Sequence, residues 1–117
     1  MKKLLAEILT IFLLLTSSAL AYQEIKQVRA SHILVKTRKE AVQIKKELEN
    51  GASFEELAEK YSQCPSGQNG GDLGYFKRGQ MVSQFEDEAF ELPVGKISSP
   101  VGTQFGWHII KVTDRKY

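Results

Sequence analysis

Two periodicities of hydrophobic residues along the chain, alternation and helical spacing, predict strands and helices in a definite order. Residues 28–35 combine β-branched side chains with partial alternation, which predicts a first strand. Apolar residues recur at helical spacing over 37–49 and 53–62. Each of these stretches opens with a Thr or Ser followed three residues later by Glu, the pattern of a capping box. The first half of the chain therefore predicts one strand and two helices.

The second half of the chain predicts shorter elements. These are a loop at 64–71, a strand at 72–77, a helix from 83, and strands at 97–101 and 106–113 joined by a hairpin connection at 102–105. A third capping box, from Ser83 to Glu86, opens the helix, and Pro93 stops it. Strands and helices in this order predict an α+β domain with a small sheet.

The first 21 residues are a different kind of sequence. Two lysines precede an apolar stretch at 4–15, and small residues end the segment at Ala21. This layout predicts a secretory signal peptide over 1–21, followed by a loose polar segment at 22–27. Glu7 weakens the insertion of the apolar stretch into a membrane. The alternative to a cleaved signal is an uncleaved N-terminal anchor or an amphipathic helix.

Composition narrows the function classes. Hydrophobic residues make up 42% and charged residues 26% of 117, which is typical of one folded domain. A net charge of +2 is too balanced for a nucleic-acid-binding protein. A single cysteine excludes an internal disulfide, and two histidines argue against a histidine-rich metal site. We therefore expect no nucleic acid partner, metal or cofactor.

The two histidines lie in different predicted strands. His32 shares alternation with Ala30 and Leu34, and His108 shares it with Ile110 and Val112, so each imidazole projects among apolar neighbours. Two interpretations remain open on these residues alone. The histidines are separate buried side chains that hydrogen-bond within the core, or they face each other and share one proton.

Two features resemble known chemistry only superficially. Cys64 could pair with a histidine as nucleophile and base, but no hydrolase signature surrounds it. Residues 70–74 are rich in glycine but lack the lysine and hydroxyl ending of a phosphate-binding loop. Those glycines are better explained by positive φ angles and by close packing of the backbone against the sheet.

Apolar side chains cluster around the third predicted helix. Met81, Phe85 and Phe90 are either core residues or the wall of a shallow apolar pocket. Met81 precedes the helix in a loop-like stretch, which favours the pocket for that residue. Phe105 lies in the hairpin connection and is a candidate for the rim of such a pocket.

Five motifs in order resemble the parvulin family of peptidyl-prolyl cis–trans isomerases. They are Ala-Ser-His-Ile-Leu-Val at 30–35, Gly-Gly-Asp-Leu-Gly at 70–74, Arg-Gly-Gln-Met at 78–81, Phe-Glu-Asp-x-Ala-Phe at 85–90, and Thr-Gln-Phe-Gly-Trp-His-Ile-Ile-Lys-Val at 103–112. The resemblance implies a parvulin-like (FKBP-like) fold over 28–117. That fold is a four-stranded antiparallel sheet wrapped by about four helices.

The resemblance also implies roles for eight residues. Candidates for the catalytic centre are a histidine pair, a thiol beside it and a hydroxyl bonded to the pair: His32, His108, Cys64 and Thr103. Candidates for substrate binding are three residues that receive the proline ring and one at the rim: Leu73, Met81, Phe85 and Phe105.

The resemblance implies an isomerase that stabilises the twisted imide without covalent attack. The segment 36–39 is short, whereas the phosphate-directed branch of the family has a longer basic loop, so no dependence on a phosphorylated residue is expected. The expected partners are unfolded or partly folded polypeptides that contain proline. We expect an exported monomer in the bacterial periplasm or cell envelope, without stable membrane association after cleavage. A peptide-binding envelope chaperone with little isomerase activity is the alternative.

Overall fold

The structure, a computed structural model, describes residues 23–117, so the predicted signal peptide (1–21) and Tyr22 lie outside the described residues. Its elements are β1 (Gln27–Val35), α1 (Arg38–Glu49), α2 (Phe54–Tyr61), a 3-10 helix (Pro65–Asn69), β2 (Asp72–Phe76), α3 (Ser83–Glu91), β3 (Val101–Thr103) and β4 (Gly106–Lys116). The predicted α+β class is confirmed, with three α-helices and one 3-10 helix instead of about four helices. Within 23–117, no helix has the length and apolar character that a membrane span requires.

The four strands form one antiparallel sheet in the order β2-β1-β4-β3. Alternate residues of the two long central strands therefore point to opposite faces. On one face, which we call the closed face, Ile33, Val35 and Ile109 pack against α1 and α2. On the other, the open face, Ala30 and Ile110 pack against α3.

Both helices of the closed face begin at the side-chain caps that the sequence predicts. Thr37 Oγ1 accepts a hydrogen bond from the Glu40 amide at 3.2 Å. Ser53 Oγ accepts one from the Glu56 amide at 3.3 Å. Each cap satisfies an N–H group that has no partner within its own helix, which is why these helices begin where the local pattern indicates.

The third predicted capping box is wrong. Val82 occupies the N-cap position of α3, and Ser83 makes no capping hydrogen bond. The Glu86 carboxylate instead accepts a hydrogen bond from the Gly79 amide at 2.5 Å. The loop that precedes α3 thus uses the glutamate that the local pattern assigned to the cap.

The strand predicted at 97–101 is also wrong. Ile97 forms only an isolated bridge to β4, and the regular pairing of β3 begins at Val101. Ser98 replaces part of the ladder with its side chain, because its Oγ accepts the Ile110 amide at 2.8 Å. Pro100 has no N–H group to donate to the ladder, which favours an interruption of regular pairing just before β3.

The segment predicted to be loose at 22–27 is tied to the sheet at its end. Gln27 pairs with Lys116 in the ladder between β1 and β4. The Lys26 amide donates to the Lys116 carbonyl at 2.7 Å, and Ile25 packs against the open-face cluster. This pairing also extends β4 beyond its predicted end at 113.

Candidate active site

The two histidines meet on the open face of the sheet. His32 lies opposite Ile110 in the ladder, and His108 lies opposite Leu34, so the imidazoles are diagonal neighbours on adjacent strands. Their Nδ1 atoms are 2.9 Å apart, and the rings are stacked with centroids separated by 5.1 Å. The residues are only 5% and 4% exposed, respectively. Both interpretations drawn from the sequence thus hold together, because the histidines are buried and also paired.

A hydroxyl extends this hydrogen-bonded pair toward the β3–β4 hairpin. Thr103 Oγ1 lies 2.7 Å from His108 Nε2 and also accepts the Phe105 amide at 3.2 Å. Both ring nitrogens of His108 are therefore occupied. His32 Nε2 is buried and has no hydrogen-bond partner. An unpartnered buried polar atom costs free energy and is uncommon in folded proteins.

The histidine pair is neutral at neutral pH. Burial, together with repulsion from His108 when that ring is protonated, lowers the pKa of His32 from 6.5 to about 4. Burial also lowers the pKa of His108. With both rings neutral, the contact between the two Nδ1 atoms holds a single proton, donated by one ring and accepted by the other.

Cys64 is positioned by the turn between α2 and the 3-10 helix. The Gln63 amide donates to the Leu34 carbonyl at 2.8 Å, and the Leu34 amide donates to Ser62 Oγ at 3.0 Å. These bonds attach the turn to the end of β1. Cys64 has extended angles of φ −83° and ψ 141°, which the following Pro65 favours. The predicted loop at 64–71 thus contains a short helix that directs Cys64 toward the histidines' side of the sheet.

The glycine-rich stretch brings β2 close to the histidine strand. Gly71 has a φ of +86°, and a Cβ atom there would lie 2.4 Å from the His32 carbonyl oxygen. The His32 amide donates to the Gly71 carbonyl at 2.9 Å. The predicted close backbone packing is confirmed at this position. It sets the start of β2, where Leu73 enters the site and Asp72 forms an ion pair with Arg29.

These elements enclose a pocket of about 460 Å³ on the open face. Seven of the eight residues proposed from the sequence line it, namely His32, Cys64, Leu73, Met81, Phe85, Phe105 and His108. Thr103 does not line the pocket but contacts it through His108. Phe85 packs edge-on against both imidazoles, with centroid distances of 5.6 and 5.3 Å.

Five lining residues were missed by the sequence analysis: Leu34, Gln63, Pro65, Gln80 and Val82. The signal for Leu34 was its alternation with His32, and the signal for the others was their position next to Cys64 or Met81. None of the described residues that line this pocket carries a formal charge at neutral pH. The pocket is therefore an apolar cleft with a few amide and thiol groups at its edges.

A second, larger hollow in the described part of the chain lies away from the predicted residues. This hollow of about 890 Å³ runs along α1, and its described lining includes none of the eight. Within residues 23–117, no cluster of three or more His, Cys, Asp or Glu side chains is placed to hold a metal ion. The thiol of Cys64 is not the partner of His32 Nε2, the one imidazole nitrogen left over, so no nucleophile–base pair is formed.

Comparisons with known proteins agree on one family. The model of the PPIC-type PPIASE domain matches residues 15–116. Foldase protein PrsA of Geobacillus sp. (strain WCH70) is 56% identical over 91 residues, which are 77% of this chain and 33% of that protein. Foldase protein PrsA of Bacillus subtilis (strain 168) is 50% identical over 91 residues, 77% of this chain and 31% of that protein. The chain thus spans about a third of the length of these curated relatives.

Solved structures are similar over the same region. Peptidylprolyl isomerase (PrsA) from Bacillus anthracis superposes with a TM-score of 0.78 and 51% identity, covering 80% of this chain and 43% of that one. The parvulin of Nitrosopumilus maritimus has a TM-score of 0.71 and 42% identity, covering 79% of this chain and 100% of that one. The matched region of this chain therefore accounts for the whole of that solved chain.

Proposed function

Because the chain belongs to the PPIC-type peptidyl-prolyl isomerase domain family, we propose that its pocket accelerates cis–trans rotation about X-Pro bonds of polypeptide substrates. The observation that carries the proposal is the uncharged pocket of about 460 Å³ above a buried, neutral histidine pair. A concave apolar site with a few convergent polar groups is the usual form of a ligand pocket.

The reaction requires that the proline ring be bound and water be excluded, and it requires no nucleophile. The barrier to X-Pro rotation is about 20 kcal/mol because the planar imide is stabilised by resonance. The planar imide also has the larger dipole, so removal from water destabilises it more than the twisted form. Even a hundredfold acceleration requires only about 2.7 kcal/mol of differential stabilisation.

Different pocket residues bind the proline ring, cover the pocket and form its floor. Leu73, Met81 and Phe85 hold the proline ring, and Phe105 covers the pocket from its exposed position in the hairpin. The histidine pair with Thr103 forms a rigid, neutral floor. Cys64 supplies a polarisable group at the edge and does not form a covalent bond with the substrate.

We also propose that the substrate need not be phosphorylated. The first candidate for an anion site is the basic segment 36–39 at the start of α1. Its Thr37 hydroxyl accepts the Glu40 amide, so that hydroxyl is already engaged in the cap. The pocket lining itself supplies no described Lys or Arg to pair with a phosphate.

Export to the bacterial envelope, and clients that are unfolded or partly folded, complete the proposal. Foldase protein PrsA, the name of the relatives, supports polypeptide substrates. A peptide-binding chaperone with little catalysis is the second candidate, favoured by one observation. Phe105 is 62% exposed beside the pocket and offers an apolar contact to any extended chain.

The test is isomerisation of unphosphorylated proline tetrapeptides by the purified chain. We expect acceleration by the wild type and at least about a tenfold lower kcat/KM for Met81→Ala, since one lost wall contact costs more than about 1.4 kcal/mol. Val42→Ala, on the half-buried surface of α1, is the matched control and should retain activity. A folded wild type that binds the peptides without acceleration would favour the chaperone. An unchanged Met81→Ala would contradict the pocket assignment.

A further inference from the structure

The wall of the pocket between β2 and α3 is a short loop, in which the Gln80 amide closes a turn on the Lys77 carbonyl at 3.3 Å. Residues 77–82 form this loop, and they contribute Gln80, Met81 and Val82 to the lining. A surface loop has no ladder of hydrogen bonds to hold it, so its position depends on individual contacts. The position of this wall therefore depends on the side chains that contact the loop.

One carboxylate joins the loop to the helix behind it. The Glu86 side chain, in the first turn of α3, accepts the Gly79 amide with Oε1 at 2.5 Å. Its Oε2 lies 3.7 Å from Arg78 Nη1. The Glu86 side chain is only 15% exposed, whereas that of Arg78 is 58% exposed. Two successive loop residues, one by its backbone and one by its side chain, are thus held on a largely buried acceptor.

Further contacts close the loop around this anchor. The guanidinium carbon of Arg78 lies 4.3 Å from the centroid of the Phe90 ring, one turn further along α3. Within the loop, the Lys77 amide donates to Gln80 Oε1 at 2.8 Å. Gly79, one of the two anchored residues, has a φ of +87°, which other residues rarely adopt. These contacts hold the loop that carries Met81 against α3, and Glu86 makes two of them.

We propose that Glu86 is a positioning residue for substrate binding, acting through Gly79 and Arg78 to hold Met81 and Gln80 in place. This inference rests on the proposed function of the pocket. Glu86 is not among the residues that line the pocket, so it does not contact the proline ring. When the anchor is lost, binding must also order the loop, which weakens ground-state and transition-state binding alike. The expected signature is a higher KM with kcat unchanged.

Three variants test the proposal with the tetrapeptide assay. Glu86→Ala removes the acceptor and is expected to raise KM about tenfold with kcat within about twofold, in line with the loss of one charge-assisted hydrogen bond. Glu86→Gln keeps a carbonyl oxygen for the Gly79 amide and should recover most of the wild-type KM. Asp87→Ala removes the same charge from the next residue of α3, which is exposed, and should leave KM unchanged.

Amide hydrogen exchange gives a readout that does not depend on activity. Glu86→Ala should accelerate exchange at Gly79 at least about tenfold while the buried core of β4 exchanges as in the wild type. A uniform acceleration across the chain, or a KM that Glu86→Gln does not restore, would show a merely structural role and overturn the proposal. If the wild type has no isomerase activity, the proposed function fails, and the exchange at Gly79 still decides whether Glu86 holds the loop.

Discussion

The two faces of the sheet use the same central strands but are completed differently. The closed face is covered by α1 and α2, both capped by side chains, and its buried cluster consists of apolar residues. The open face is covered by α3, which lacks a side-chain cap, and includes the buried pair His32 and His108. Both sets of alternate residues in β1 and β4 therefore contribute buried core, and only the open-face set also builds the pocket.

Truncation of the closed-face core is expected to have the largest effect on the free energy of unfolding. Ile33 is fully buried between β1 and the two helices. Ile33→Ala is expected to lower the free energy of unfolding by about 2–5 kcal/mol, because it removes buried methylene groups and leaves a cavity. Met81→Ala, on the half-buried wall of the open face, should cost about 1 kcal/mol. Urea unfolding of both variants measures the difference, and equal losses would mean that the pocket wall contributes as much to stability as the closed-face core.

The second largest effect on stability is expected from acid, which protonates the histidines of the open face. The pKa of His32 is lowered to about 4 in the folded protein, so the unfolded chain binds a proton more readily between pH 6.5 and 4. The free energy of unfolding should therefore fall as pH falls through this range, by about 3 kcal/mol from His32, and the lowered pKa of His108 acts in the same direction. Asp72 and Asp114 have lowered pKa values and lose their contribution only below 3.8, outside this window.

An NMR titration of the imidazoles checks the cause of this acid sensitivity. We expect the His32 signals to remain those of a neutral ring at pH 6 and to titrate near pH 4. A midpoint near 6.5 would mean that the ring is not desolvated by the fold. Unfolding curves at pH 7 and 4.5 then provide the matching stability difference.

The helices of the two faces should also differ in how much their first residues contribute to stability, by a smaller amount. Thr37→Ala removes the hydrogen bond to the Glu40 amide and is expected to cost about 1 kcal/mol. Ser83→Ala removes a hydroxyl that caps nothing and should change stability by less than about 0.5 kcal/mol. Thermal or urea unfolding of the two variants is the measurement. A loss at Ser83 as large as that at Thr37 would restore the capping box that the sequence pattern suggested.

The smallest effect is expected at the rim. Phe105 is 62% exposed, so Phe105→Ala should leave stability within about 0.5 kcal/mol of the wild type. It should raise KM for proline peptides about threefold, because an aromatic contact contributes roughly 0.5–1.5 kcal/mol. Tyr61→Ala, an exposed aromatic residue on α2, is the control from the closed face. An equal change of KM in both variants would mean that Phe105 does not contact the substrate.

Local patterns predicted much of the fold and failed at identifiable residues. The caps at Thr37 and Ser53 were predictable because a cap involves only residues three apart. The same pattern failed at Ser83, because Glu86 is engaged by a loop residue upstream of the helix. Pro100 offered a local warning against the strand at 97–101, but the replacement of a ladder bond by the Ser98 side chain required the neighbouring strand.

In the candidate site, too, local patterns predicted some features and could not predict others. By itself the sequence determined which side chains share a strand face, so alternation indicated that His32 and His108 each point among apolar residues. Only the tertiary structure decided that the two rings meet at 2.9 Å, although they are 76 residues apart. Only it closed the pocket with Gln63, Gln80 and Leu34. The physical reason is that periodicity and capping act over a few residues, whereas contacts across the sheet depend on strand order and register.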